Sequence, residues 1–234
     1  MTLDHIVIHL DADDLGAFKR ELDEAGVPFE PGWGKKAKGF RVANLWVGAQ
    51  YLELVEIVAP ENLWQPRWSR RHAEGERGVY CLFLKIDETV EALYERLTAA
   101  GLSPSEPERT RFKWLFGLLE KKLPWQFILL PQIPGTPVEL GFIHYDTGAE
   151  AKAKPYMVPN TEDVGMTGLT GAAVLSREPS EASAWLETLA EAVGRTLPVH
   201  VLSAEGGEVL RVRMVLEPGK TFAPVEVGNL LISG

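Results

Sequence analysis

The feature that most constrains the fold is an internal repeat of a strand and a helix within the first 101 residues. In each copy an apolar strand pattern is followed, at the same offset, by an aspartate, then by an amphipathic stretch that ends at a glycine. An acidic residue before such a stretch and a glycine after it are typical helix boundaries. The repeat predicts two copies of one supersecondary unit. The paired positions are His5 with Cys81, Asp11 with Asp87, and Gly26 with Gly101.

Strand-like segments follow each predicted helix. In the first unit, residues 40–47 and 51–58 are separated by a short turn, which predicts a hairpin. Both units are therefore predicted to have the element order βαβββ, although the second strand of the first unit, near residues 27–30, is short. The corresponding segments of the second unit are 109–119, 125–130 and 137–145.

A third, diverged unit is predicted at the C-terminal end. The strand pattern 171–176 precedes a helical pattern at 180–194, and Ala172 stands where the first unit has His5. We therefore expect an α+β fold in which tandem βαβββ modules form a curved mixed sheet around a cup. The predicted divisions are a paired domain at 1–146 (modules 1–62 and 78–146), a linker at 147–167 rich in Ala, Lys, Pro and Gly, and a third βαβββ-like module at 168–234.

Composition excludes several classes of function. The net charge of −9 argues against nucleic acid as a partner, because phosphate binding needs a basic face. No apolar run approaches the length of a transmembrane helix, so no membrane partner is expected. The single cysteine excludes an internal disulfide, and the N-terminus lacks the layout of a signal peptide. Together these features favour the cytoplasm.

Alternation along the strands places polar residues on the faces that point away from the helices. If the sheet curls, those faces line one concavity, where a His and carboxylates form a donor set typical of divalent metals. The four polar positions are His5, Glu53, Cys81 and Glu139. Apolar and aromatic residues predicted to line the same substrate pocket are Val7, Tyr51, Phe83 and Trp46.

The motifs that carry these positions are LDHIVIHL at 3–10, the hairpin at 40–58, and CLFLKID with PVELGFIHYD. Together they resemble the vicinal oxygen chelate superfamily of glyoxalases, bleomycin-resistance proteins and extradiol dioxygenases. The resemblance is to its glyoxalase-like branch and covers residues 3–146. It implies a divalent metal held in the cup by the first and fourth strands of each unit. By position, His5, Glu53 and Glu139 would be metal ligands, while Cys81 occupies the fourth position, where His, Gln or Glu is usual.

The resemblance implies a metal-dependent enzyme acting on a small oxygenated molecule, by isomerase, lyase or ring-opening chemistry. Glu139 or Glu53 would be the catalytic base that moves the proton. Two alternatives stay open. The cup could bind a drug or metabolite without metal or catalysis, and Cys81 could be a buried structural thiol. The third module would cap the edge of the cup or pair with a partner chain, which leaves a homodimer open because exposed sheet edges are normally covered.

The connector at 63–78 concentrates two tryptophans and four arginines without a clear period. One interpretation is a crossover in which Trp64 and Trp68 cover the edge of the core. The other is a lid or an anion-selecting rim, since guanidinium groups bind carboxylate oxygens in pairs.

Overall fold

The computed structural model describes residues 1–30, 39–58, 65–114 and 119–234, with the backbone alone at 12, 112–114 and 119–121. The elements of the first part are β1 (Thr2–Leu10), α1 (Ala12–Glu24), β2 (Phe40–Val47), β3 (Gln50–Ile57), α2 (Pro66–Ala73), β4 (Gly78–Lys85), α3 (Val90–Ala99), β5 (Arg111–Trp114), β6 (Leu119–Lys122), β7 (Trp125–Gln132) and β8 (Glu139–Tyr145). Those of the second part are α4 (Ala149–Ala153), β9 (Met166–Ser176), α5 (Pro179–Val193), β10 (Val199–Ser203), β11 (Leu210–Leu216), β12 (Val225–Val227) and β13 (Leu230–Ser233).

The two predicted helices form where the repeat places them. Helix α1 ends ahead of Gly26 and α3 ends ahead of Gly101, and both glycines have a positive φ that stops the helix. The Thr89 hydroxyl caps α3 by accepting a hydrogen bond from the Ala92 amide at 3.4 Å. The buried stripe of each helix packs on the sheet. The stripe residues are Leu15, Phe18 and Leu22 in α1, and Val90, Leu93 and Leu97 in α3.

A mixed six-stranded sheet, in the order β2-β3-β1-β4-β8-β7, joins the two units. Strand β1 pairs with β3 in parallel, β4 pairs with β8 in parallel, and the units meet where β1 lies antiparallel to β4. The predicted α+β class and the tandem arrangement are confirmed. Because the units join through their first strands, the first strands of both lie at the centre of one continuous face.

Two predicted strands do not enter this sheet. Residues 27–30 form no strand, because Val27 and Phe29 turn their side chains into the core beside α1. The segment at 109–119 contributes β5, which pairs with β6 in a separate two-stranded sheet. Glu108, just before it, forms a single bridge to Phe127 on the edge strand β7.

Strand β1 contains a bulge that breaks the alternation assumed from sequence. Leu3 pairs with Leu84 and His5 pairs with Phe83, so Asp4 is an extra residue with no partner on β4. Leu3 packs in the core on the helix side, yet His5, two residues later, lies on the opposite face. A bulge of this kind places two successive side chains on one face of the sheet.

Residues 166–234 form a five-stranded sheet with α5 beside it, in the order β10-β9-β11-β13-β12. Its succession of parallel and antiparallel pairs is the same as that of β3-β1-β4-β8-β7 in the large sheet. The third unit therefore reproduces the pairing of both preceding units in one small sheet. The predicted linker contains α4 and two short 3-10 turns at Lys154–Tyr156 and Thr161–Val164.

The third unit packs on the helix side of the large sheet rather than at the cup. One apolar core runs through β1, α1, α3 and the inner faces of β9, β11 and β13. A smaller cluster lies on the opposite face of the sheet, which we call the concave face after the predicted cup, and includes Val7, Cys81, Phe83 and Trp68. The site predicted from sequence falls on this second face. Within the ranges described above, no helix is long and apolar enough to span a membrane.

Candidate functional site

The imidazole of His5 is clamped between two aromatic rings on the concave face. The Tyr51 ring stacks on one side at 4.5 Å between centroids, and the Phe83 ring stacks on the other at 4.4 Å. Trp46 extends the row, 4.6 Å from Tyr51. Gly141 gives the Phe83 ring its space, because a Cβ at that position would lie 2.5 Å from a ring carbon. With both ring faces covered, His5 can meet a ligand only through its edge.

The extra residue at the bulge fixes the orientation of that edge. Asp4 is buried, and its Oδ2 lies 2.6 Å from Nδ1 of His5. The same oxygen accepts a hydrogen bond from the Tyr145 hydroxyl at 2.9 Å. Because a carboxylate oxygen accepts, Nδ1 of His5 is the donor and Nε2 carries the free lone pair. Asp4 was not predicted as a site residue, because strict alternation places its side chain on the helix side.

Two tyrosines complete this network. Burial, followed by the nearby Asp4 carboxylate, raises the pKa of Tyr145 above its ordinary value. Burial also raises the pKa of Tyr51, and the neighbouring Tyr145 hydroxyl acts in the same direction. Both phenols therefore stay protonated at neutral pH and act as hydrogen-bond donors. The network connects β1, β3 and β8, which holds His5 on the rigid part of the sheet.

Glu53 lies at the free edge of His5. Its Oε2 is 4.0 Å from Nε2 of His5, and its side chain is 16% exposed. Burial raises the pKa of Glu53, with Asp4 acting in the same direction and His5 against it. Asn44 is its register partner on β2, and within the described ranges the buried Oδ1 of Asn44 has no hydrogen-bond partner. The structure thus brings together a histidine with a fixed tautomer and a carboxyl that holds its proton more tightly than usual.

Glu139 has a different environment, because helix α2 covers it. The indole N–H of Trp68 donates to Oε2 at 2.8 Å, and Arg71 donates to Oε1 at 3.4 Å. Arg67 also donates to Oε2. The carboxylate is buried, and two guanidinium groups neutralise it. Its oxygens are used in anchoring α2 to the sheet.

Cys81 lies between the two glutamates. It pairs with Val7 on one side and with Glu139 on the other, and Val7 in turn pairs with Glu53. The thiol is fully buried, and burial, then the nearby Glu139 carboxylate, raises its pKa. An un-ionised thiol is a poor metal ligand and nucleophile. These surroundings are those of a structural cysteine.

The donor atoms do not meet around one point. Among the residues that the structure describes, no three His, Cys, Asp or Glu side chains are grouped closely enough to share a metal ion. His5 and Glu53 are brought together, and Cys81 and Glu139 are neighbours, but the predicted ligands His5, Glu53 and Glu139 do not form one set. Nε2 of His5 and the carboxyl of Glu53 are neighbouring donors that a metal could use, and the Oδ1 of Asn44 lies across from Glu53 on β2.

A second polar cluster lies further along β1, beneath α2. His9 is fully buried and stacks on Tyr80 at 3.9 Å, while neither ring nitrogen has a hydrogen-bond partner among the residues that the structure describes. His72 of α2 is 6.0 Å away between ring centroids, and Arg71 lies over the Tyr80 ring. Burial and the positive charges of His72, Arg71 and Arg77 lower the pKa of His9.

Comparison with known proteins gives a match at the level of family. A family model described as a glyoxalase-like domain matches residues 3–190. No curated protein matches the chain.

Solved structures with a similar fold come from several bacteria. A hypothetical protein from Staphylococcus aureus has a TM-score of 0.67 at 12% identity, covering 98% of this chain and 96% of that one. Methylmalonyl-CoA epimerase from Mycobacterium tuberculosis has a TM-score of 0.44 at 16% identity, covering 64% and 91%. A Streptomyces coelicolor methylmalonyl-CoA epimerase in complex with 2-nitronate-propionyl-CoA has 0.42 at 16%, covering 63% and 96%. At 12% identity the likeness to the Staphylococcus aureus protein concerns the fold alone.

Proposed function

We propose that this chain, which belongs to the glyoxalase-like domain family, is an enzyme that moves a proton on a small oxygenated molecule. The observation that carries the proposal is the arrangement of His5, held edge-on by Asp4 with Nε2 facing the Glu53 carboxyl at 4.0 Å. Proton transfer of this kind underlies the isomerase, lyase and ring-opening types of reaction expected from the family resemblance. The substrate would bind on the concave face, beside Tyr51 and Trp46.

Two neighbouring groups with different proton affinities can divide the work of acid and base. The free lone pair of His5 Nε2 would take a proton from carbon, and Asp4 would stabilise the imidazolium that forms. Glu53, whose pKa burial raises, would supply a proton to a developing oxyanion. The tyrosine pair would hold Asp4 in place during both steps.

A divalent metal fits this donor set poorly. Glu139 is already bound to two guanidinium groups, and burial raises the pKa of the Cys81 thiol, which opposes formation of the thiolate that a metal binds. A cation would find His5 Nε2, the Glu53 carboxyl and the amide oxygen of Asn44, a set with one carboxylate in place of the two expected from the resemblance. No step of the proposed reaction is therefore assigned to a metal.

A second candidate function is binding of a drug or metabolite without chemistry. It is favoured by the hydrogen bonds of Glu139 to Arg67 and Trp68, because they leave only one of the two predicted catalytic carboxylates available in the cup. In that case the aromatic row and the Glu53 carboxyl would be the contacts of the ligand, and an acidic surface would suit a cationic one.

The test is proton exchange in D₂O. A panel of small 2-hydroxy and 2-oxo aldehydes, ketones and carboxylates is incubated with the protein, and deuterium incorporation at carbon is followed by proton NMR. We expect exchange that His5→Ala and Glu53→Gln reduce at least roughly 100-fold, as for a general base. His200→Ala, an exposed histidine on β10, is the matched control. Binding without exchange would favour the second function.

Metal dependence is tested on the same variants. The melting temperature is measured with Mn²⁺, Ni²⁺, Zn²⁺ or Fe²⁺, because a ligand that binds only the folded state raises it. We expect no rise that depends on the two donors. A rise that disappears in His5→Ala and Glu53→Gln would show that the metal-dependent mechanism is correct instead.

A further inference from the structure

We propose that helix α2 is a pH-sensitive cover of the concave face, which detaches when His9 beneath it takes up a proton. The inference goes beyond the proposed function, because it concerns access to Glu139 and Cys81 rather than the reaction at His5 and Glu53. It follows from the position of one buried histidine under the helix and from the sign of the charges around it.

His9 lies beneath two successive turns of α2. The ring of Trp68 meets the His9 ring edge-on at 5.9 Å between centroids, and the ring of His72, four residues later, lies 6.0 Å away. Tyr80 of β4 stacks on the same imidazole at 3.9 Å. Strands β1 and β4 lie at the centre of the six-stranded sheet. Of the elements that enclose His9, α2 is therefore the one whose movement would expose the ring.

A second ring proton on His9 would have no acceptor in this position. The side chain is fully buried, and neither ring nitrogen has a hydrogen-bond partner among the described residues. Burial lowers the pKa of His9, and the positive charges of His72, Arg71 and Arg77 lower it further. An imidazolium here would be buried, unpaired and repelled, a combination that strongly destabilises the closed arrangement.

The carboxylates in this region are bound to the same cations rather than to the buried imidazole. Arg77 donates to Asp11 at 2.9 Å. Arg71 donates to Glu76 at 2.8 Å and to Glu139 at 3.4 Å. These ion pairs hold α2 and the loop after it in place, and they offer no acceptor to a new positive charge beneath the helix.

His72 extends the response to a second proton. Its Nδ1 is buried without a hydrogen-bond partner in the described part of the chain. Burial lowers the pKa of His72, Arg77 lowers it further, and Asp11, 3.8 Å from Nε2, opposes both. When α2 leaves the sheet, both imidazoles meet water and regain the proton affinity of an ordinary histidine. Acid therefore favours the detached helix.

Few apolar contacts hold α2 on the sheet. Of the four buried residues of this fully described helix, only Trp68 is apolar. Its polar contacts run mainly to Glu139, from Trp68, Arg67 and Arg71, and water can replace these donors once the helix has left. Elements of this kind open locally, without global unfolding. Detachment would return the Glu139 carboxylate to the concave face and expose Cys81, its register partner on β4.

The experiment uses Cys81 as a probe, because it is the only cysteine of the chain and is fully buried. The full chain reacts with 4,4′-dithiodipyridine between pH 5.5 and 7.5. Each rate is divided by that of the urea-unfolded chain at the same pH, which gives the open fraction. Below about pH 6.5 we expect the open fraction to rise roughly ten-fold per pH unit for one proton, and up to roughly 100-fold where His72 takes up another.

Three variants separate the trigger from the anchor. His9→Phe keeps the stack on Tyr80 and cannot be protonated, so the rise per pH unit should be roughly ten-fold smaller than in the wild type. His9→Gln, smaller and also uncharged, gives the same test if phenylalanine overfills the site. Trp68→Phe weakens the anchor to Glu139, so it should raise the open fraction at every pH without changing its pH dependence. His200→Ala is the matched control and should behave as the wild type.

Two results would overturn the proposal. One is an open fraction that does not change with pH, or that changes equally in the wild type and both His9 variants. The other is a Cys81 reaction that follows the urea dependence of global unfolding, because the thiol would then be reached only in the unfolded chain. Local opening exposes little surface, so low concentrations of urea should leave the open fraction nearly unchanged.

Discussion

At the scale of single residues, the candidate site depends on one additional residue in β1. The bulge turns Asp4 toward the concave face, where it bonds both His5 and Tyr145. Removing the charge while keeping the shape should loosen the orientation of His5. Partners that orient a working histidine typically contribute 10- to 100-fold to function.

We expect Asp4→Asn to lower the rate of deuterium exchange about 10- to 100-fold, and Tyr145→Phe to have a smaller effect because Asp4 keeps its bond to His5. The tautomer of His5, read by nitrogen-15 NMR, should become mixed in Asp4→Asn. Asp163→Asn, at an exposed position, is the control. An unchanged tautomer in Asp4→Asn would contradict the assignment.

His9 makes stability depend on pH. Its folded-state pKa lies below the ordinary value because of burial and nearby positive charges. Below about pH 6.5, His9 becomes protonated in the unfolded chain while it stays neutral in the folded chain. The free energy of unfolding therefore falls as the pH drops. The slope for one such proton is at most about 1.4 kcal/mol per pH unit.

His9→Phe should keep the stack on Tyr80 and flatten this slope, measured by urea denaturation between pH 5 and 8. His72, whose pKa burial also lowers, will retain part of it. His200→Ala should leave the slope of the unfolding free energy against pH unchanged. Equal slopes in the wild type and His9→Phe would show that His9 is not the group responsible.

Sequence reasoning at this scale identified His5 and Glu53, whose pairing across Nε2 and Oε2 the structure contains. It omitted Asp4 because a bulge shifts the face of a side chain without leaving a mark in the apolar pattern. It could not predict that Glu139 is hydrogen-bonded to helix α2, because Arg67 and Trp68 lie more than 65 residues away in the sequence.

At the scale of elements, helix α2 connects the two units and covers part of the concave face. Proline at its first turn favours the helix start, although the segment has no apolar period. Trp68 is 2% exposed, as the crossover interpretation predicted, while Trp64 lies outside the described residues. The helix is defined by tertiary contacts with Glu139, which is why periodicity did not predict it.

Trp68→Phe removes the indole donor to Glu139 and leaves the rest of the ring contact. We expect a loss of about 1–3 kcal/mol in the free energy of unfolding, the usual contribution of a hydrogen bond to a charged group, while Arg67 keeps its bond to the same oxygen. Amide hydrogen exchange in α2 should accelerate. Ser69→Ala is the matched control, because the buried Ser69 hydroxyl has no hydrogen-bond partner in the described part of the chain. Equal effects of the two substitutions would rule out anchoring through Glu139.

At the scale of the whole molecule, the third unit and the large sheet share one core. Gln50 of β3 bonds the carbonyls of Leu3 at 2.7 Å and Leu169 at 3.1 Å, and accepts from the Leu169 amide at 2.5 Å. The turn at Gly48 lies against the Thr167 carbonyl. The family membership confirms the glyoxalase-like resemblance, but the face on which the third unit packs was not evident from sequence, because both its sheet and the helices carry apolar stripes.

Gly48→Ala tests this docking. A Cβ at Gly48 would lie 2.1 Å from the Thr167 oxygen, whereas one at Gly26, which also has a positive φ, meets nothing within 4 Å. We expect Gly26→Ala to cost about 1 kcal/mol in unfolding free energy and Gly48→Ala about 3 kcal/mol or more. Chemical denaturation measures both. Equal costs would mean that the third unit adds no stability through this contact.

The aromatic clamp around His5 also has a magnetic consequence. Its ring lies face to face with Tyr51 and Phe83, and each neighbour shields the protons above its own face through its ring current. The carbon-bound protons of His5 should therefore resonate upfield of those of His72, His144 and His200, whereas His9 is shielded on one face by the Tyr80 ring. A molecule that enters the cup and shifts either ring would move that one signal, so the protein contains its own reporter of occupancy.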